Sequence, residues 1–222
     1  NIDGMEINYV LISRKDVGNL NLNTFSIGID EIGNISNTVE TEQIILVGVN
    51  VFSYVQIRSP PLISSNFFNT INNPNFEETD KEKFDMKKNY NFFKYHLNEL
   101  NENFRFIYIL NFLNKDNPQE DIINNLLETN IKNSDNKNFK YNYFNFDTNC
   151  LKNSQNQSQN LCDNSELKKH RDPLEQFLSG IENVLNIFKF FGVTFDSIGN
   201  KNLMDQVGII REICVDGLER SN

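Results

Sequence analysis

The sequence of 222 residues is poor in cysteine and in basic side chains, and it has no long apolar run. Its three cysteines, Cys150, Cys162 and Cys214, are odd in number and too few for a disulfide framework, which predicts a reducing, cytoplasmic setting. A formal net charge of -9 argues against general nucleic-acid binding, which needs a basic surface. No apolar run reaches the roughly 18 to 20 residues that a membrane-spanning helix requires.

The short motifs that mark many enzymes and cofactor-binding proteins are missing. There is no GxSxG motif, no P-loop and no GxGxxG after a predicted strand. His96 lies on an apolar helical face, which is typical of a partly buried core histidine. Cys150 and Cys162 are too far apart for the usual spacing of zinc ligands. Without a pairing of acid, base and nucleophile, the sequence predicts a protein that is not an enzyme and that has no metal or cofactor.

Residues 1–65 have the composition of a β-rich segment. "MEINYVLIS" and "EQIILVGVNVFSYVQIR" combine β-branched and aromatic residues with partial alternation, and Gly and Asn turn signals separate them. We therefore expect a β-rich or α+β segment, a small sheet packed against a helix, with no assigned role.

Residues 66–132 are predicted to be helical, with polar loops. "FRFIYIL" suits either a strand or a buried helix, whereas "PQEDIINNLLETNIKN" begins with a proline and two acidic residues, a typical helix start. Residues 133–167 are rich in Asn, Ser and Gln. Because such a tract cannot bury enough apolar surface to offset its ordering entropy, we expect a low-complexity linker or insertion there.

Residues 168–222 carry the tightest apolar pattern of the chain. "RDPLEQFLSGIENVLNIFKFFG" predicts an amphipathic helix with Asp172 as its N-cap, Pro173 in its first turn and Gly192 at its end. Beyond a short connection, Leu203, Val207 and the apolar residues after them recur at helical spacing. The pattern predicts a helical hairpin, so the expected fold is mainly α in the C-terminal part.

The run from Asp172 to Ile213 resembles the start of the glycolipid transfer protein family, in particular its ceramide-1-phosphate branch. Gly192, Phe195 and Ile198 match the loop that joins the first two helices in that family. The resemblance covers roughly residues 172–215 and implies the beginning of an all-α, two-layer fold that encloses one lipid. There are departures. Aligning the aliphatic residues of the second helix places Asn202 where the family has an acid, whereas counting from Phe195 places Lys201 there, and the chain has no tryptophan.

The resemblance also implies a lipid site. The headgroup would be bound by Asn202, Gln206 and Lys201. The lipid chains would lie against a set of apolar residues on the two helices and their connection, namely Leu185, Phe188, Phe191, Phe195, Val207 and Ile210.

The expected function is therefore intracellular lipid binding and intermembrane transfer of a sphingolipid, ceramide-1-phosphate or a glycolipid, by a chain truncated at its C-terminus. Its partners would be the sphingolipid and, transiently, a membrane surface, with no nucleic acid. The alternative from the same residues is a non-enzymatic module that binds another protein and has no lipid pocket.

Overall fold

In the computed structural model, most of the chain forms the strands of one sheet and the helices that pack against it. The described residues are 6–15, 27–35, 37–71, 85–135, 137–145, 148–149, 164–196 and 199–215. Their elements in chain order are β1 (Ile7–Lys15), β2 (Val39–Val47), β3 (Asn50–Ser59), α1 (Ser65–Ile71), α2 (Met86–Asn103), β4 (Phe106–Asn111), α3 (Pro118–Lys132), β5 (Phe139–Tyr143), α4 (Asn164–Phe188), β6 (Phe191–Asp196), β7 (Gly199–Met204) and β8 (Gly208–Ile213).

The eight described strands form one mixed sheet, in which six strands follow the order β1-β2-β3-β8-β4-β5. β1, β2 and β3 are antiparallel neighbours. From β3 onward the neighbours are parallel, because β8 pairs in parallel with both β3 and β4, and β4 with β5. The first residues of β3 pair instead with β6, which carries β7 on its other side. β8 is thus the last strand in the sequence but lies inside the parallel part of the sheet.

Helices cover both faces of this parallel part. Apolar residues of α1, α2 and α3, such as Phe68, Phe93 and Leu127, form the first core with one face of the sheet. Val184 and Phe188 of α4 form the second core with the opposite face. Successive residues of β8 alternate between the cores, as the period of a strand requires: Ile209 and Ile213 enter the first, and Ile210 and Cys214 enter the second. β8 therefore ties the two layers of helices together.

The prediction of a mainly α C-terminal part is wrong, since the chain has an α/β fold. After Phe188 the described chain forms β6, β7 and β8 in place of a second helix. The apolar residues from Val207 to Ile213 fit the helical spacing only because short apolar runs suit both periods. They are mostly β-branched, which favours a strand, and both faces of that strand are buried.

The first predicted helix of this region exists, but its predicted ends are wrong. Helix α4 begins at Asn164, before Asp172 and Pro173, and ends at Phe188. Lys189 takes the left-handed conformation that the sequence suggested for Gly192, with a φ of 59°. Gly192 lies in β6 opposite Phe52, where an added Cβ would stand 3.3 Å from the Phe52 ring. Its role is close packing between strands.

Elsewhere the local signals fare better. The helix start at Pro118 is confirmed, with Asn117 as N-cap accepting hydrogen bonds from the amides of Gln119 and Glu120. The ambiguous "FRFIYIL" contains strand β4. Each of the four predicted segments contributes at least one strand to the same sheet. Residues 136, 146, 147 and 150–163 of the predicted linker lie outside the described residues.

Among the helices of the described ranges, none has both the length and the apolar character needed to cross a membrane.

Gly208 offers a test of this packing, because a Cβ there would overlap the ring of Phe188. That ring is buried and stacks on Phe106, with ring centroids 6.2 Å apart. We expect Gly208→Ala to lower the free energy of unfolding, measured by urea titration, by roughly 1–3 kcal/mol, as overpacking does.

The matched control is Gly180→Ala in α4, where an added Cβ meets no atom within 4 Å. Alanine should raise the free energy of unfolding there by up to about 1 kcal/mol, because glycine is the poorer helix former. Equal stability of Gly208→Ala and the unsubstituted protein would contradict the described packing of α4 on β8.

Candidate active site

The parallel strands β3, β8, β4 and β5 end at a common edge of the sheet. In open α/β sheets ligands bind at this carboxyl edge. Backbone hydrogen bonds join the chain segments here: the amide of Cys214 donates to Ser59 O at 3.3 Å, and that of Phe112 to Ile213 O at 2.8 Å. The amide of Phe144 in turn donates to Asn111 O at 2.9 Å. The residue after β8 is therefore held between the ends of β3 and β4.

That residue is Cys214, a buried cysteine that is 1% exposed. Its side chain belongs to the second core, next to the aromatic residues that follow β4 and β5. A thiol is a weak nucleophile until it loses its proton, and a neighbouring positive charge favours that loss. The position of Cys214 makes it the chemically reactive group to consider at this edge.

The sequence around Cys214 reads "REICVDGLERSN", with Arg220 six positions after the cysteine. Residues 216–222 lie outside the described residues, so this spacing is a property of the sequence. A guanidinium group binds a phosphate group through two parallel hydrogen bonds, and a short loop can turn several backbone amides towards the same anion. A thiol and an arginine with five residues between them are therefore suitable groups for binding a phosphate ester.

A buried carboxyl group lies on the same face of β8 as Cys214. Burial raises the pKa of Glu212 to about 7, and the positive charge of Arg58 on β3 limits the rise. Oε2 of Glu212 is buried and has no hydrogen-bond partner within the described ranges. Burial also raises the pKa of Tyr54, which packs against the second core. Ionisable groups on this side of β8 are therefore poorly solvated, which disfavours their negatively charged forms.

Polar side chains brace the carboxyl end of β4 from the first core. Asn111 is fully buried and donates to Asn124 Oδ1 at 2.6 Å and to Tyr141 Oη at 2.9 Å. Glu128 continues the network, accepting from Lys115 Nζ at 3.0 Å and from the Tyr141 hydroxyl at 3.2 Å. Because the buried groups are satisfied, the network fixes the loop after β4 beside the end of β8.

A cavity of about 400 Å³ opens between α4 and the sheet. Its lining is mostly apolar and includes two of the residues predicted to contact lipid chains, Leu185 and Ile210, with Glu212 and Lys189 as charged members. The cavity is an apolar recess under α4, next to the second core.

The other predicted lining residues are dispersed. Phe188 is buried in the second core, whereas Phe191 and Phe195 on β6 are exposed and Val207 precedes β8. The structure thus brings Leu185 and Ile210 together and leaves the two phenylalanines of β6 at the surface. The role of these residues as lipid contacts stays a prediction.

The three predicted headgroup residues do not converge on one site. Lys201 and Asn202 are exposed on β7, where Asn202 donates to Asp205 Oδ1 at 2.9 Å. Gln206 accepts from the Val55 amide at 2.8 Å and donates to the Val55 carbonyl at 2.7 Å. Gln206 therefore joins the β7–β8 connection to β3, and headgroup binding by these three residues stays a prediction.

A comparison with protein families decides the wider assignment. The family model of the SacI homology domain (Syja_N) matches residues 1–151, about two thirds of the chain. The chain belongs to the SacI homology family. Cys214 lies beyond the matched residues, at the end of a strand that completes the sheet of this SacI homology chain.

The family corrects the resemblance to glycolipid transfer proteins, which is wrong. SacI homology domains are those of phosphoinositide phosphatases, so sphingolipid transfer and a sphingolipid partner are wrong as well. The alternative of a non-enzymatic interaction module is equally unsupported. The resemblance rested on a helix, a glycine and a second helix, and the second helix does not exist. The expectation of a protein without enzymatic activity also conflicts with the family, because SacI phosphatases are enzymes.

Reasoning from the sequence missed Cys214 because it counted this residue among the apolar positions of a helix. A usable signal was present: a run of aliphatic residues leads directly to a cysteine, and Arg220 follows at a fixed short distance. If this run is interpreted as a buried strand, the sequence predicts a nucleophile directly after the strand, at the edge of a sheet.

Glu212 predicts a pH dependence of stability. Its pKa is raised to about 7 in the folded protein, well above the ordinary value of a glutamate, so the folded state binds this proton more tightly than the unfolded state. The resulting stabilisation is present below the unfolded pKa and is lost as pH rises through about 7. Between about pH 5 and about pH 8 we expect a loss of up to about 3 kcal/mol of unfolding free energy from this group.

Glu212→Gln removes the titrating group and keeps a side chain of similar size. Urea titrations across this pH range should therefore give a flatter stability profile for the variant than for the unsubstituted protein. Parallel profiles for the two proteins would show that Glu212 does not titrate in the folded state as described.

Proposed function

We propose that the protein is a phosphoinositide phosphatase and that Cys214 is its nucleophile. The observation that carries the proposal is the position of a buried thiol at the carboxyl end of β8, in a chain of the SacI homology family. Arg220, six residues further on, supplies the guanidinium group that a phosphate ester needs.

The composition of the sequence between Cys214 and Arg220 supports a phosphate substrate. Gly217 lies among the five residues between Cys214 and Arg220, and glycine allows the backbone to approach a ligand closely. Backbone amides and one guanidinium favour a dianionic group over a neutral one, because both present donors without acceptors. The substrate class follows from the family, and the phosphate group is the part of it that these residues would bind.

The reaction proceeds in two displacements. In the first, the Cys214 sulfur forms a bond to phosphorus while the bond from phosphorus to the inositol oxygen breaks. The inositol alkoxide leaves and takes up a proton, and Arg220 pairs with two oxygens of the phosphoryl group. In the second, water attacks phosphorus, the sulfur–phosphorus bond breaks and orthophosphate leaves. The thiolate is regenerated, and water is the only co-reactant.

A cytoplasmic location fits this role, because the nucleophilic thiol must stay reduced. The substrate is an anionic lipid and the chain has a formal net charge of -9, so overall electrostatics would not attract the protein to such a membrane. Recognition would then depend on local groups around the phosphate.

Phosphate release from a water-soluble, short-chain phosphoinositide tests the proposal with the full-length protein. We expect Cys214→Ser to reduce release by about 1,000-fold or more, because the alcohol is a far weaker nucleophile at neutral pH. Arg220→Lys should reduce it less, because lysine keeps the charge but loses the paired hydrogen bonds.

The matched control is the double variant Cys150→Ser/Cys162→Ser, which should keep its activity because neither thiol stands before an arginine at this spacing. A protein that releases no phosphate, or a Cys214→Ser variant that works as well as the unsubstituted protein, would overturn the proposal.

A further inference from the structure

Arg211 is the most unusual buried residue of β8. It is 1% exposed and lies on the face of the first core, between Ile209 and Ile213 along the strand. Its neighbours across the sheet are Ile57 on β3 and Ile109 on β4. A guanidinium group therefore occupies a site that is otherwise built from isoleucine.

The buried charge is poorly compensated. Nε and Nη2 of Arg211 have no hydrogen-bond partner among the described residues. Burial lowers the pKa of Arg211 to about 9, which still leaves it cationic at neutral pH, and Glu99 on α2 opposes this shift. The side chain of Glu99 is 63% exposed, so most of its charge is screened by water. Its neighbour His96 is buried, and both burial and the charge of Arg211 lower the His96 pKa.

An uncompensated charge at such a site destabilises the fold, and an apolar side chain of similar size would be more stable there. Residues that lower stability in this way are characteristic of functional sites. The position of Arg211 suggests its function, because Cys214 follows three residues later on the same strand. At the rise of a strand the two Cα atoms are about 10 Å apart, and because the side chains point to opposite faces the guanidinium group and the sulfur are further apart, on the order of 13 Å.

Across roughly 13 Å of protein, a unit positive charge favours ionisation of a thiol by somewhat less than about tenfold at an effective dielectric constant near 20. The other titratable groups facing this region offset one another in part. Arg58 and Glu212 lie together on the thiol's side of the sheet, and Glu120 accepts from the Asn114 amide beyond the end of β4. His96 and Glu99 lie with Arg211 on the opposite side.

We propose that Arg211 is a positioning residue of the reaction: its poorly compensated charge, buried in the strand that ends at Cys214, favours the nucleophilic thiolate form of that thiol. The inference rests on the proposed function of Cys214, although the ionisation of the thiol can be measured without any substrate. The proposed role would explain why a charged residue occupies a core position where an apolar residue would be more stable.

The test is the pH dependence of Cys214 alkylation by iodoacetamide, followed by peptide mass spectrometry. The full-length protein carries Cys150→Ser and Cys162→Ser, so that Cys214 is the cysteine left of the three in the sequence above. The midpoint of the plot of alkylation rate against pH reports the ionisation of the thiol. Limited access of iodoacetamide to the buried thiol lowers the rate at every pH by the same factor and therefore does not move the midpoint. We expect Arg211→Met to raise the midpoint by about one pH unit and to slow alkylation about tenfold below the midpoint.

Arg211→Lys should restore the original midpoint, since it keeps the charge, whereas a purely structural role would leave the midpoint unchanged in all variants. Arg211→Met should also unfold at a higher urea concentration, because an unpaired charge is replaced by an apolar side chain. If Arg211→Met does not fold, Arg211→Gln replaces it, because glutamine also removes the charge and keeps hydrogen-bonding groups. This variant should raise the midpoint in the same way, and an unchanged or lowered midpoint would count against the proposal.

The outcome separates this inference from the proposed function. If Arg211→Met raises the midpoint but the unsubstituted protein releases no phosphate, the effect of Arg211 on the ionisation of Cys214 is supported and the phosphatase assignment is overturned. Phosphate release that depends on Cys214, with the same alkylation midpoint in both proteins, overturns the inference about Arg211 and leaves the phosphatase assignment standing.

Discussion

The pairing of β8 with β3 on one side and β4 on the other is the interaction on which the rest of the structure depends. It joins an antiparallel part of the sheet to a parallel part, and its alternating residues enter both cores. Gly208 lets the ring of Phe188 pack directly on the first residue of the strand. Without β8, α4 would lose its contact with Ile210 and the helices on the other face would lose Ile209 and Ile213.

The same pairing explains the site. A strand buried on both faces ends at Cys214, and its position between the ends of β3 and β4 is fixed by backbone hydrogen bonds. Two charged residues lie on this strand near its end, Arg211 on the side of the first core and Glu212 towards the second. Burying charged groups costs stability.

The sequence predicted the elements whose signals are local. The proline and the acids at Pro118 predicted the start of α3, and apolar spacing predicted most of α4. The sequence-based prediction failed where the deciding contacts are distant in the sequence. The segment from Val207 to Ile213 contains a strand because β3 and β4 supply its partners, and β3 lies more than a hundred residues earlier in the chain. Cys214 was missed for the same reason. Leu185 and Ile210 do meet at one cavity, although the family that suggested them was wrong.

The most direct test of the account is the capture of a covalent intermediate. The full-length protein would be mixed with a short-chain phosphoinositide, denatured within the first turnover and digested, and its peptides would be analysed by mass spectrometry. The account predicts one phosphoryl group on the sulfur of Cys214 and none in the Cys214→Ser variant. Turnover of the substrate without any phosphoryl group on Cys214, or with the group on another residue, would contradict it.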